Sequence, residues 1–324
     1  MAGGVSPLAN LGARLYGWAW EARRSAYATG MRRPRHVRSR VISIGNLTVG
    51  GTGKTTLALH LAGRLREAGQ NVAVVCRDYR PGPAGRGDEA LLMAAALGEA
   101  RVFSGRRKWE EATRAAAAGF DPILVDDGFS HWGLGRDLDI VLLDAHDPWG
   151  GGELLPAGRL REPRRALQRA GILIVSRATD SEMARATLAA VTPFAPAALG
   201  AAGRHRLAGV RSGAGGWLAV EGGARVVTAT GHPSAVADSA REAGYNPVVL
   251  SAYRDHHWFT EAEARLEQER AAAAGLTLLI TAKDAVRWPL SPGPAVLEVV
   301  WEWVVGGEEV EARVLASQRT EPVR

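Results

Sequence analysis

Short apolar runs bounded by turn residues recur along the first two thirds of the chain, at 41–44, 72–75, 123–125, 140–143 and 172–175. Continuous runs of this kind, unlike alternating ones, predict strands buried on both faces of a parallel sheet. Between them lie segments of helical period. Leu57, Leu61 and Leu65 recur every fourth residue over 54–68, a segment that stops at Gly69; 162–170 and 180–190 also read as helices. Strands alternating with helices predict an α/β fold with a doubly wound, mostly parallel sheet. Over 205–222 the pattern breaks into glycine-interrupted alternating stretches, expected to be a connecting ribbon. Beyond it, strands at 226–229, 247–250, 276–281 and 296–300 with helices at 233–243 and 260–274 predict a second, smaller α/β lobe. A chain of 324 residues divides in this way more readily than it builds one core. The expected domains are an N-terminal segment 1–40, a main lobe 41–204, the ribbon 205–222 and the smaller lobe 223–324.

Ahead of the first strand, Leu8, Leu11, Leu15 and Trp18 recur at spacings of three and four, with Tyr16 and Trp20 on the flanks. This predicts an N-terminal amphipathic helix. Seven arginines follow (Arg23, Arg24, Arg32, Arg33, Arg35, Arg38, Arg40), and no acidic residue lies between Glu21 and Glu67. Such a helix suits an anionic membrane surface; it suits equally well a helix packed on its own domain with solvated arginines. No nucleic-acid motif accompanies the basic run, so nucleic acid is not expected as a partner, and nothing marks an obligate protein partner. No stretch supplies the roughly 18 uncharged apolar residues of a spanning helix, and the start lacks a signal peptide's order. The expectation is a cytoplasmic enzyme, peripheral or monotopic at most. Cys76 is the only cysteine, which excludes an internal disulfide and a four-thiolate metal site.

The chemistry is concentrated at "GNLTVGGTGKTT", residues 45–56. Glycines let backbone N–H groups converge on phosphate oxygens, a helix N-terminus adds positive potential, a lysine reaches the terminal phosphates, and a threonine ligates magnesium. Thr48, Val49, Gly50, Gly51, Thr52, Gly53, Lys54, Thr55 and Thr56 fill this pattern, with Thr48 where the first glycine is usual. The fold expectation is therefore P-loop NTPase-like. Asp126 and Asp127 follow the apolar run 123–125 and would hold Mg2+ with Thr55. Paired aspartates also cap turns, but beside a phosphate site a cation explains them better; Asp144 is a weaker candidate. The guanine-selecting Asn-Lys-x-Asp stretch has no counterpart in "VSRATD" at 175–180, so ATP is expected rather than GTP. Two further clusters, "GDEALLMA" at 87–94 and "RDHHWFT" at 254–260, carry acid/base groups. Asp88 or Glu89 with His256 would take the proton of a hydroxyl acceptor, although Gly-Asp-Glu also caps helices and histidine pairs also serve structure.

"GNLTVGGTGKT", "GDEALLMA", "DDGFSHWGLGRDLDIVLLDA", "LLPAGRLREP", "DHHWFT" and "TAKDAVRW", in this order, resemble the tetraacyldisaccharide 4'-kinases of lipid A synthesis from about residue 5 to residue 300. The resemblance implies transfer of the ATP γ-phosphate to the 4'-hydroxyl of an acylated glucosamine disaccharide 1-phosphate, with Mg2+, at the cytosolic face of the inner membrane. It implies Lys54 as the phosphate-loop lysine, Thr55, Asp126 and Asp127 at magnesium with Glu89 assisting, and Asp88 paired with His256 to activate the hydroxyl. Arg77, His131 and Arg161 fall in motifs that would face the substrate. The chain departs from the family pattern at Cys76, Asp78, Ser130 and Thr56. Asp78 matters most, because a carboxylate facing an anionic substrate would repel it. The rivals are a P-loop kinase for another acceptor and a nucleotide-switched binding module.

Overall fold

The six residues of β1 (Val41–Asn46) are buried without a break, as a strand must be when sheet neighbours flank it and helices cover both faces. The computed structural model describes residues 6–83 and 85–316. They form two units, one of residues up to 77, 97–204 and 301 onward, the other of residues 78–96 and 205–300. In chain order the elements are α1 (Pro7–Ala28), β1, α2 (Lys54–Glu67), β2 (Ala73–Arg77), α3 (Asp88–Leu97), β3 (Val102–Gly105), α4 (Lys108–Ala117), β4 (Ile123–Asp126), β5 (Leu138–Asp144), β6 (Ile172–Ser176), α5 (Ser181–Val191) and β7 (Leu199–Arg211). Then follow β8 (Ala224–Thr228), α6 (Pro233–Glu242), β9 (Val248–Ala252), α7 (Glu261–Ala273), β10 (Thr277–Thr281), α8 (Ala282–Ala285), β11 (Ala295–Val305) and α9 (Gly307–Ala316).

In the first unit the strands run β3-β2-β4-β1-β5-β6-β7, each parallel to its neighbours. The order reverses at β1: the chain passes outward to β2 and β3 on one side, then through β4 to β5, β6 and β7 on the other. The carboxyl end of β1 is therefore the topological switch point, where ligands bind in sheets of this kind. Leu57, Leu61 and Leu65 of α2 are fully buried, as their spacing predicts. Gly45 lies so close to Phe129 that an added Cβ would stand 2.4 Å from the Phe129 Cβ and 2.9 Å from its amide nitrogen. Gly45→Ala is expected to destabilise the unit by about 1–3 kcal/mol through overpacking, measured as a lowered midpoint in thermal or denaturant unfolding.

The second unit orders its strands β11-β10-β8-β9, all parallel. β7 and β11 each pass from one unit into the other. The stretch expected as a ribbon is in its first part the continuation of β7, followed by a turn in which Ser212 N–H donates to the Gly216 carbonyl. Residues 162–170 form a 3-10 segment, Arg164–Arg169, instead of an α-helix, following Pro163 and burying only Ala166 and Leu167. α9 had no anticipating pattern; it sits in the first unit, where Glu311 accepts from Arg64 Nε at 2.6 Å and lies 2.8 Å from His60.

The N-terminal helix forms, but it docks on the side opposite to its leucine stripe. Trp20 and Ala13 are 7% exposed, and Trp20 meets Trp132 edge to face at 6.0 Å with the Arg165 guanidinium over its ring. Gly12 and Gly17 allow Pro156 and Leu154 to approach closely, and the Tyr16 hydroxyl donates to the Arg161 carbonyl at 2.8 Å. Leu8, Leu11, Leu15 and Trp18 point away, at 80%, 56%, 61% and 77% exposure. Small residues and the flanking aromatics thus make the intramolecular contact.

Candidate active site

The phosphate loop leaves β1 at its carboxyl end and enters α2. Gly50 and Gly53 have φ of +120° and +86°, a region that glycine enters without steric cost, and Gly53 caps α2. Thr48, in contrast, has no positive φ, is buried, and its methyl group fills the space beside Gly150. Its position therefore does not require the usual glycine. The Val49 amide donates to the Arg159 carbonyl, and the Arg161 amide to that of Leu47, which ties the loop to the segment after β5. Thr52 is buried, and Thr55 and Thr56 follow Lys54 in the first turn of α2.

Lys54 Nζ donates to Asn46 Oδ1 at 3.2 Å and lies 3.8 Å from Asp127 Oδ1. Arg161 grips Asp127 with both terminal nitrogens, at 2.9 and 2.7 Å, and also donates to the backbone and side-chain oxygens of Asn46. Burial alone would raise the Asp127 pKa; the Arg161 hydrogen bonds and the charges of Lys54, Arg161 and Lys108 outweigh it and hold the carboxyl well below the usual carboxylate range. Asp127 keeps a φ of +50°, in the left-handed region where strained functional residues gather. Lys108 is 6% exposed, and its ammonium donates to the carbonyls of both Asp126 and Asp127 at 2.6 Å; burial pushes its pKa down. Arg177, just past β6, bridges the Gly51 carbonyl and the Asp144 carboxylate, so Asp144 is engaged in holding the loop.

His131 lies four residues beyond Asp127. Its burial, with Lys108, Arg136, Arg23 and Arg77 as neighbouring cations, pushes its pKa down to about 4, so it is neutral near pH 7. Arg77 closes β2 and is exposed. Ser130 Oγ and His131 Nε2 are buried without hydrogen-bond partners among the described residues.

Asp88 and His256 both belong to the second unit, and there they meet. Asp88 opens α3, is 2% exposed, and its Oδ2 stands 2.8 Å from His256 Nδ1. An ionised carboxylate only accepts, so Nδ1 is the donor in this pair; in the neutral imidazole the lone pair then falls on Nε2. Burial works against the Asp88 charge, but the His256 hydrogen bond and the charges of Lys283 and Arg287 prevail and lower its pKa. His256 has a φ of +62° and its ring meets Tyr79 edge to face at 5.3 Å. Glu89 Oε1 lies 3.9 Å from Lys283. Asp78 accepts from the Gly87 amide at 3.1 Å, closing the loop before α3.

Sequence reasoning had not singled out Asn46, Lys108, Arg177, Lys283 or Arg287. A signal was present for two of them, since only three of the 40 Lys and Arg residues are lysines, Lys54, Lys108 and Lys283, and all three touch site carboxylates or their backbone.

The sequence profile of the tetraacyldisaccharide-1-P 4'-kinase family matches residues 6–318. A tetraacyldisaccharide 4'-kinase of Anaeromyxobacter sp. (strain Fw109-5) is 38% identical over 298 residues, 85% of this chain and 80% of its own length. One from Geobacter metallireducens is 35% identical over 319 residues, 90% of each chain. The fold is similar to a crystal structure of the "apo" form of LpxK from Aquifex aeolicus in complex with ATP, with a TM-score of 0.71 at 22% identity, covering 94% of this chain and 97% of that one. By profile and by relatives, this chain belongs to the tetraacyldisaccharide 4'-kinase family.

Proposed function

We propose that this chain transfers the γ-phosphate of ATP to the 4'-hydroxyl of a tetraacylated glucosamine disaccharide 1-phosphate in lipid A biosynthesis. The observation that carries the reading is the phosphate loop at the switch point of a family member, with Lys54, Asp127 and Arg161 converging beside it. In this reading the loop amides from Thr48 to Thr56 cradle the triphosphate, and Lys54 balances charge that develops on the transferred group. A hydroxyl and two carboxylates, from Thr55, Asp126 and Asp127, are hard oxygen donors suited to Mg2+; Asp127 is 38% exposed at its side chain, and a bound ion would share its carboxylate with the Arg161 nitrogens. The bound ion would neutralise phosphate charge; Glu89 is assigned at most an assisting part. Asp88 orients His256, whose Nε2 accepts the acceptor hydroxyl's proton as the oxygen attacks phosphorus. Arg77, His131 and Arg161 are assigned to the acceptor side.

The test is incubation with ATP labelled in its γ-phosphate and a lipid A precursor, followed by locating the label. Label at the 4' position is expected. Nucleotide turnover indifferent to the lipid would point instead to a nucleotide-switched binding module, and transfer to a soluble sugar alone would point to a different acceptor.

The exposed stripe of α1, followed by the arginine-rich segment, supports peripheral attachment to an anionic bilayer. None of the helices among the described residues is long and apolar enough to cross a membrane. Replacing Leu11, Leu15 and Trp18 together by aspartate is expected to cut sedimentation with vesicles containing anionic lipid by about tenfold or more, at roughly 0.8 kcal/mol per CH2 withdrawn from the lipid. Undiminished sedimentation would reject this role for α1. The fold is expected to survive, because these side chains contact solvent and not the core.

A further inference from the structure

The motif "TAKDAVRW", residues 281–288, surrounds the Asp88 carboxylate with positive charge. Arg287 is fully buried. Its Nη2 donates to Asp284 Oδ1 at 2.6 Å and to the Ala229 carbonyl at 3.1 Å, and its Nε to the Lys283 carbonyl at 3.2 Å. Its Nη1 has no hydrogen bond among the described residues and stands 3.4 Å from Asp88 Oδ2. Asp284 is itself held by the Thr228 and Thr281 hydroxyls and the Ala229 amide, so the guanidinium is fixed from behind. Lys283 Nζ is 3.6 Å from the same Oδ2. Three cationic or donor groups, from His256, Lys283 and Arg287, therefore converge on one oxygen, while Asp88 Oδ1 accepts from the Glu89 amide at 2.9 Å.

We propose that Lys283 and Arg287 are positioning residues that pin the Asp88 carboxylate so that Oδ2 stays on His256 Nδ1. The inference rests on the reading of Asp88 and His256 as the pair that activates the acceptor. A carboxylate on a short side chain rotates freely unless both oxygens are engaged. Here the Glu89 amide holds one oxygen and two cations hold the other at the histidine. Their distances exceed those of hydrogen bonds, so the force is chiefly electrostatic; it acts on a carboxylate only 2% exposed, where water screens it weakly. Geometry held in this way counts in catalysis, because a misplaced base loses rate without losing substrate.

Lys283 is the residue to vary, since it is partly exposed and its removal leaves the Asp284 network intact. Lys283→Met is expected to lower kcat by roughly tenfold or more with KM for ATP and for the lipid acceptor unchanged, and Lys283→Arg to recover most of the loss. In an Asp88→Asn background, Lys283→Met is expected to cost less than about twofold further, because residues acting as a unit are not additive. A wild-type kcat for Lys283→Met, a rise in acceptor KM in its place, or a full multiplicative loss in the Asp88→Asn background would each overturn the clamp. If Asp88→Asn itself turned over normally, the underlying Asp88–His256 reading would fail first, and the two failures are thereby told apart.

Discussion

Lys54→Ala is expected to reduce phosphoryl transfer by about 10²–10³-fold while leaving the protein folded. The lysine is placed by the first turn of α2, and its ammonium lies between Asn46 Oδ1 and Asp127 Oδ1. Removing it takes a cation from the point where charge builds on the transferred group, and from one side of Asp127. Arg161 still grips Asp127 with two nitrogens, and the Val49–Arg159 backbone bond and Arg177 still hold the loop. The helix survives as well, because Leu57, Leu61 and Leu65 anchor it from the other face. Lys54→Arg is expected to rescue poorly: a planar fork does not replace a compact ammonium in this space. Transfer of labelled phosphate, measured alongside circular dichroism and thermal unfolding, checks the prediction. Wild-type turnover by Lys54→Ala would remove the residue from its assigned role.

Asp88→Asn is expected to lower kcat by about 10²–10⁴-fold, the range for loss of a positioned acid/base group or its orienting carboxylate. The substitution is nearly isosteric, so the space at the start of α3 stays filled. What changes is charge. An amide cannot stabilise the imidazolium that forms when His256 takes a proton, and it can equally turn its NH2 toward Nδ1 and fix the wrong tautomer. Lys283 and Arg287 would also face each other without their shared counter-charge, so some loss of thermal stability should accompany the loss of rate. His256→Gln is expected to match Asp88→Asn in rate, and the double variant to be little worse than either, as for residues that act as one unit. Independent, multiplicative losses would separate the two residues in mechanism.

The N-terminal helix shows how local pattern and tertiary placement part company. The leucine spacing announced a helix correctly, because period 3.6 is a property of the chain itself. Which face would be covered depended on what the rest of the fold offered. Trp132, Leu154 and Pro156 offered a surface that fits Trp20 and two glycines, and the leucines were left outside. The Asp78 carboxylate, which in sequence looked hostile to an anionic substrate, is turned to the backbone of its own loop, a geometry that depends on residues nine apart and is invisible to motif spacing. The segments α3, α4 and β3 are not legible in the pattern for a related reason: α3 gives little contrast between faces, the buried face of α4 is made of Lys108, Glu111, Ala112 and Ala115 in place of large apolar residues, and β3 is only four residues long.

The alternation of strands and helices, the phosphate loop, and the carboxylates, histidine and lysine from which the proposed site is built could all be read from the chain alone. These are encoded in short windows, where hydrophobic period, glycine and side-chain chemistry act within a few bonds. The pairing of Asp88 with His256 was expected from the motifs, but that Arg161 holds Asp127, that Lys108 lies under the carbonyls of the aspartate pair, and that Lys283 and Arg287 close on Asp88 beside that histidine emerges only in three dimensions. Those groups are separated by 34, 18, 195, 199 and 168 residues. Charge pairing across such separations is decided by where the strands end in space, not by any local preference of the chain.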